Sequence, residues 1–476
     1  MNSVDEDALQ SAGDYRLREI VIKSSQNVEL DFRDLVMELN IYESIYSNSM
    51  YGTVVIRDSA NHIEHLPIIG QEEINFLLET PGFYDQINFR EFRGRIYKVD
   101  KQTRSLEREQ TYLLHFTTRE SIDNSRIRIS NAFNDTTSNI ATNILKTKLK
   151  TKKRIYVDKT TAVHKIVSPN MRPFDLITML SKRSESSTYN TPGYLFFENH
   201  RGYHFRSYES LSYRFFEPRV PRYAYFDRVM KRDSNNVPQI ELDLSTIQEY
   251  KILRTNDLLA NYATGMLSST HYTHDIHTKT WTKTDYNYFD EFEKTKHVDE
   301  KEDTKQNFGP FYSKTPTTLD GKKISEYTQS KIYVSPRDTK LHSKNSTSNI
   351  SYDNRSNIWL QAMRSKKLAY DNLKISIKVY GNTYIAAGDL IYVSLPSLQP
   401  IDKRDDILEH QLYSGRYIVA NIRHIVNNLR HEMIIECVKD NFFTKLSELE
   451  VPSDFQEDNR RRSLRELVDV NTEEEL

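Results

Sequence analysis

The chain has one cysteine, Cys437, among 476 residues. A single thiol excludes a disulfide framework, a cysteine-rich zinc site and a dithiol redox pair together. Glycine is scarce at 13, and no two glycines stand at i and i+2, so neither a dinucleotide fingerprint nor a P-loop can be written. GxSxG, HExxH and CxxC are also absent. No apolar run nears the roughly 18 residues that a membrane helix needs, and the mean hydropathy is -0.69. The first residues, MNSVDEDALQ, are acidic and lack the apolar stretch of a signal peptide. The reading is a soluble chain made in the cytoplasm, with no stable membrane insertion. A surplus of either charge is missing too: Lys+Arg number 66 and Asp+Glu 67, a net charge of -1. Bulk attraction to nucleic acid or an anionic membrane needs a cationic surplus, so any such contact must be local.

What is present is β-pattern, in blocks. The length suits about three domains. After an N-terminal tail (1–14), residues 15–120 alternate with period two: Leu35, Met37, Leu39 and Ile41 on one face, Glu38 and Asn40 on the other, with Val36 breaking the pattern. Tyr51–Arg57, Gln71–Leu78, Phe92–Lys101 and Gln110–Thr118 read as further strands, with turns at Asp58-Ser59, Pro81-Gly82 and Arg104-Ser105. This predicts a tube-like antiparallel barrel or sandwich. Residues 121–245 read as a mixed α+β domain. It has a helix capped by Asp135 that carries Ile140, Ile144 and Leu145, a second helix starting at Pro173 with Phe174, Ile177 and Leu180, and a hairpin turning near His200 to Gly202. Residues 246–289 read as joining the second β block, and 290–353 as a charged insertion or arm too poor in apolar residues to fold by itself. Residues 354–445 bring Ile358, Trp359, Ala362 and Met363 onto one helix face. A second β-barrel block follows, in which Leu373, Ile375, Ile377 and Val379 alternate with lysine and serine. Residues 446–476 form a polar tail with Arg460 to Arg462 and Glu473 to Glu475. The fold class is α+β, mainly β.

The two β blocks share punctuation. Gly70 precedes an apolar strand and Gly94-Arg95-Ile96-Tyr97 opens another. Gly388 and Gly415-Arg416-Tyr417-Ile418 do the same at a similar spacing, and Leu113, His115 and Thr117 correspond to Ile435, Cys437 and Lys439. A chain carrying two copies of one barrel would let three chains present six similar barrels around an axis, so that a threefold object can mate with a sixfold one.

Three groups of segments carry a resemblance. They are LVMELNIYESIYSNSMYGTVVIRDSANHIEHLPIIGQEEINF (35–76); NMRPFDLITMLSKRSES (170–186) with GYLFFENHRGYHFRS (193–207); and KISIKVYGNTYIAAGDLIYVSLP (374–396) with SGRYIVANIRHIV (414–426) and IIECVKD (434–440). Together they resemble the baseplate hub protein of contractile-tailed phages, which is similar in fold to the hub portion of type VI secretion spikes. The order and spacing of the strands carry the match, over about half the chain, rather than any catalytic signature. The resemblance implies a homotrimeric, pseudo-sixfold ring in the virion, at the tail baseplate. It would bind the tail tube protein on one side and the central spike protein on the other, contact other baseplate proteins, and pass DNA as cargo through its channel. It implies no enzymatic activity and no cofactor. An off-axis wedge or fibre adaptor sharing the barrel fold, and a tail-associated cell-wall hydrolase, are the alternative functions.

No catalytic, cofactor-binding or metal residue is assigned, and each candidate has a plainer reading. His271, His274 and His277 are close enough in sequence to suggest a metal, but a strand sends His274 off the side of the other two. Lys146, Lys148, Lys150, Lys152, Lys153 and Arg154 form an acid-free basic run that could meet phosphate or an acidic partner, although cations also suit a solvated helix end. The adjacent pairs Glu72-Glu73 and Asp405-Asp406 cannot converge from a strand as glycosidase carboxylates must. Cys437 shares a face with Met433 and Ile435 and reads as core. The 30 tyrosines suit a protein whose work is contact with neighbours.

Overall fold

The computed structural model describes residues 9–106, 109–212, 220–225, 240–276, 278–299, 309–312, 321–337, 356–397 and 409–443. These build a mainly β, α+β chain around one 14-stranded sheet. Its first half comes from β1 (Arg16–Lys23), β2 (Glu29–Asp31), β3 (Val36–Ser44), β4 (Tyr51–Asp58), β5 (Glu73–Glu79), β6 (Gln86–Asn88), β7 (Gly94–Leu106) and β8 (Glu109–Thr118). A middle unit follows. It holds the antiparallel pair β9 (Ala132–Thr136) and β11 (Val163–Val167), and a three-stranded sheet of β10 (Ile155–Val157), β12 (Tyr194–Asn199) and β13 (Gly202–Ser207). Its core gathers Ile140, Leu145, Phe174, Leu180, Phe196 and Phe205.

The chain then returns to the large sheet through β14 (Arg222–Ala224) and β15 (Ile247–Arg254). It makes a separate sheet from β16 (Ser268–Asp275), β17 (Thr280–Asn287) and β18 (Ile332–Arg337), and ends in β19 (Leu373–Tyr380), β20 (Leu390–Ser394), β21 (Gly415–Asn427) and β22 (His431–Lys439). The sheet's main path runs β15-β19-β22-β21-β3-β4-β8-β7-β5-β1-β2, and no pairing among the described residues closes it into a ring.

The strand order is duplicated. In the first half β3, β4, β8, β7 and β5 are successive antiparallel neighbours; in the second, β15, β19, β22, β21 and β20 are. The irregularities repeat as well. The register shifts just after Val36 in β3 and just after Ile247 in β15, and across Tyr97 in β7 and Ala420 in β21. Bulges fix the equivalence better than glycines do: they match Gly94 with Tyr417 rather than with Gly415. That slip of two residues keeps the face, but the other matches read from sequence are one residue out and change face: Cys437 corresponds to Phe116 rather than His115, and Gly388 to Gln71 rather than Gly70.

The cores differ where the backbones agree. Gly52 lies directly across from Phe116, and at the equivalent place Ile375 lies across from Cys437. One half puts its volume on one strand and the other half on the neighbouring strand, so each core is filled. A β-carbon on Gly52 would lie 2.2 Å from the Phe116 ring and 2.4 Å from the Asn40 carbonyl oxygen.

Several local expectations are corrected. Met37 is 44% exposed because it occupies the bulge, which leaves Val36, Leu39 and Ile41 buried. Thr136 rather than Asp135 caps the helix Thr137–Asn143, its hydroxyl accepting from the Asn139 amide, while the Asp135 carboxylate accepts from the Thr136 amide. Arg104-Ser105 lies inside β7, not in a turn. Helix Ser356–Tyr370 buries Gln361, Ser365, Ala369 and Tyr370 and leaves Trp359, Ala362 and Met363 half-buried. Its inner face is polar because it docks at the start of β16, the central strand of the three-stranded sheet: Gln361 donates to the Ser269 carbonyl and Ser365 to the Met266 carbonyl.

Replacing Gly52 with isoleucine overpacks its site and is expected to cost about 1–3 kcal/mol or more. Adding Phe116→Cys, which copies the second half, should recover in a denaturant double-mutant cycle the part of that loss that comes from the ring, leaving the part that comes from the Asn40 carbonyl. Additive losses would show that the halves are not interchangeable at this pair.

Candidate functional site

The feature that makes one body of two β halves is β21. On one side it pairs with β22. On the other, β20 covers Gly415–Ile418 and β3 covers Asn421–Asn427, with the Ala420 bulge at the changeover. A bulge twists the strand locally, which lets one strand serve two neighbours. Cross-strand contacts lock the register: Arg423 donates through Nε to Asn40 Oδ1 at 2.9 Å and lies 3.6 Å from Glu38, and Ser44 donates to Asn421 Oδ1 at 2.5 Å. Val426 of β21 packs into the first-half core.

Buried charge fixes the middle unit against this joint. Glu43 of β3, fully buried, accepts from His200 Nδ1 at 2.7 Å, from the His200 amide at 3.1 Å and from the Ala387 amide at 3.0 Å, touching three regions of the chain at once. Burial pushes its carboxyl up, but His200 and His424 outweigh that and hold it at about 2. Next in sequence, Arg201 donates to Asp85 at 3.0 Å and to Asp389 at 2.8 Å. A second cluster joins the first half to the middle unit. Lys153 Nζ pairs with Glu120 at 3.1 Å and with Glu198, whose other oxygen accepts from the Met50 amide and the Thr118 hydroxyl. Burial pulls the lysine down, but the two carboxylates raise it overall; Glu198 is raised by burial and by Glu120 against the pull of Lys153.

A third cluster lies in the second half. Lys439 is buried 3.5 Å from Asp299, whose other oxygen accepts from the Arg416 amide at 2.7 Å. Burial lowers Lys439 and raises Asp299 to about 6. Asp299, Val298 and His297 fall in the stretch read from sequence as a charged arm; they are buried, with His297 bonded to Asp440 at 2.7 Å.

A cleft of about 630 Å³ opens beside the joint, lined by groups of both signs including Asp158, Lys159, Arg201, Arg206 and Asp389. The side chains that define the region are thus buried pairs and shared strands. Their chemistry is to hold three bodies in one relative position.

The residues singled out from sequence are dispersed. His271 is buried, its Nε2 2.8 Å from Ser335 Oγ, and burial lowers its pKa; His274 stacks on Trp281. Three residues apart on one strand, these two point to opposite faces. His277 lies outside the described residues, as do Asp405 and Asp406. In the basic run Lys146, Lys150, Lys152 and Arg154 are exposed, whereas Lys153 is the buried member of the Glu120–Glu198 cluster. Glu72 is buried as a loop cap, accepting from the amides of Ile69, Gly70 and Gln71, while Glu73 pairs with Arg95. Cys437 is buried and its thiol is pushed up by burial. Sequence reasoning missed Glu43, Glu198 and the Asp299–Lys439 pair. Only Lys439 carried a signal, since it continues the apolar face of Ile435 and Cys437.

The chain matches no protein-family model and no curated protein. Among solved structures it is similar to a tail protein from Neisseria meningitidis MC58, at 10% identity and a TM-score of 0.49 over 90% of this chain and 98% of that one. A 43 kDa tail protein of prophage MuSo2 from Shewanella oneidensis gives 11% identity and a TM-score of 0.46, over 89% and 98%. The E. coli c3393 protein, a component of the type VI secretion system, gives 10% identity and 0.39, over 90% and 76%. No helix among the described residues is long and apolar enough to cross a membrane.

Two predictions test the joint. Replacing Lys153 with methionine leaves two carboxylates buried without their cation and should cost about 3–5 kcal/mol in denaturant unfolding. Adding Glu120→Gln and Glu198→Gln should return much of it. Acid should also loosen the fold. Burial lowers His424 to about 4 from 6.5, Glu43 adding an opposing upward pull, so the unfolded chain takes up a proton first and stability falls as pH drops from about 6.5 to 4. Glu43, held at about 2 against 4.5, keeps its contribution above pH 4.5 and loses it as pH falls toward 2. Melting temperatures across this range should decline in both windows, and His424→Gln should make the upper decline shallower, with buried His204 and His431 keeping the rest of it, and weaken the lower one through the lost pull on Glu43.

Proposed function

We propose that this protein is the structural hub of a contractile phage tail baseplate. In this reading three copies form a pseudo-sixfold ring in the virion that joins the tail tube to the central spike and leaves a channel for DNA, without enzymatic activity. The duplicated strand order carries the reading. A chain that folds the same sheet twice, and fixes the two copies through β21, offers an assembly two nearly identical surfaces per subunit, which is what a threefold body needs to meet a sixfold tube.

The buried clusters support a mechanical role. Glu43 and Lys153 sit where the middle unit meets the sheet, and a unit tied by buried charge moves with the sheet rather than beside it. Transmission of force between a tube and a spike requires that coupling. The exposed lysines of the basic run provide a local place for an acidic partner within a chain of balanced charge.

Electron cryomicroscopy of the full-length protein mixed with the spike protein encoded beside it tests the reading. A threefold ring with six similar lobes around an open channel is the expected result. Particles without threefold symmetry, even with the partner bound, would overturn it in favour of an off-axis adaptor.

A further inference from the structure

The duplication leaves an asymmetry at its ends. Within the chain, β21 pairs with β3. By strand order and bulge position, β21 is the repeat of β7, and β3 is repeated as β15. Yet β7 and β15 do not meet each other. Among the described residues β7 has β5 beside it only at Gly94 and Arg95, so its edge from Lys98 onward is uncovered, and β15 has β19 on one side and no strand on the other. One donor edge and one acceptor edge of the same kind are left over.

Burial at equivalent positions shows what is missing. Ile41 of β3 is 0% exposed, and its counterpart in β15, Ile252, is 38% exposed; beside it Leu253 is 48% exposed. Apolar residues at an open strand edge are an aggregation liability unless something covers them.

We propose that β15 of a second copy pairs antiparallel with β7, repeating between subunits the joint that β3 and β21 make within one. Transposing the observed register through the bulges, the one at Leu253 included, puts Val99 opposite Thr255, Asp100 opposite Arg254 and Lys101 opposite Ile252. The charges suit this. Inside the chain Arg423 reaches Asn40 and Glu38 along the facing strand; at the equivalent place Asp100 is opposite Arg254, while Lys251 and Glu249, the counterparts of Asn40 and Glu38, pair with each other at 2.8 Å. The contact is heterologous, each copy giving one edge and receiving the other, so it closes if the rotation closes. The joint rests on the strand pairing, whereas the number of copies rests on the hub reading above.

The test uses the full-length chain, alone and with the spike protein, carrying Asp100→Cys and Arg254→Cys together. Directly opposed residues in an antiparallel pair have β-carbons about 4.5–5.5 Å apart, close enough for a disulfide after small adjustment. Mild oxidation should convert most of the double variant to covalent multimers. A mixture of the two single variants should stop at covalent dimers, and each single variant alone should give none. A double variant that assembles or stays monomeric without cross-linking overturns the joint. In wild-type protein, amides of residues 98–104 and 249–254 should exchange at least tenfold more slowly once assembled; unchanged exchange in assembled particles also overturns it. Cross-links in particles lacking threefold symmetry would leave the joint standing and remove the hub reading, and a threefold ring without cross-links would do the reverse.

Discussion

The structure depends on the sharing of β21 between two halves of one sheet. A β-strand has two hydrogen-bonding edges, and ordinarily each is spent within its own sheet. Here the bulge at Ala420 divides one edge between β20, which belongs to the second half, and β3, which belongs to the first. The fixed relation of the halves rests first on that division, with the Thr80–Thr383 hydrogen bonds as a second tie. The core of the first half accepts Val426 from the second, and Arg423 aligns the register across the boundary.

Backbone pairing alone would leave the middle unit free to hinge, and buried charge removes that freedom. Glu43 accepts hydrogen bonds from the middle unit and from the loop before β20 while it is itself part of β3. Desolvating such groups is expensive, and well-packed apolar residues would hold two surfaces together at least as strongly. What apolar residues cannot impose is a single geometry, because they tolerate sliding. The Lys153 cluster has the same character: its carboxylates also accept from Thr118, Thr151 and the Met50 amide, so the ion pair is built into the backbone of both bodies.

Much of the β pattern was legible in the sequence because parity is a robust signal. Leu373 to Val379 alternate as written, and the hairpin around His200 to Gly202 is where turn chemistry puts it. Bulges were not legible. Met37 has the composition of a core residue, and only the hydrogen-bond register shows that it is the inserted one. The buried joint was still less visible: Glu43 and Glu198 look like any surface carboxylate until distant segments converge on them. Lys439 is the exception, since a lysine two residues beyond Cys437 on an alternating strand must be buried if the strand continues. The repeat was detected through an alignment two residues out at Gly94 and one residue out at Gly70 and His115, so strand order was legible where register and face were not.

Duplication also explains why the ends of this sheet differ in character. Two copies of one unit joined once have one internal joint and, of necessity, one unused edge of each kind. The two edges are protected differently. Beyond Tyr97, β7 presents Lys98, Asp100 and Lys101, with a register shift after Asp100 and Lys101 held at a φ of 50° that breaks the ladder. Charge and irregularity of this kind discourage an arbitrary strand from adding there. By contrast, β15 pairs with β19 without a break only from Glu249 to Ile252, between register shifts at Gln248 and Leu253, and exposes apolar Ile252 and Leu253 among charged residues. A charged edge broken after Asp100 does not suit a second copy of itself, whereas the exposed Ile252 and Leu253 of β15 need a cover, so the unlike pair is favoured over self-pairing of β7. The same backbone that is complete inside the chain is therefore directional at its ends.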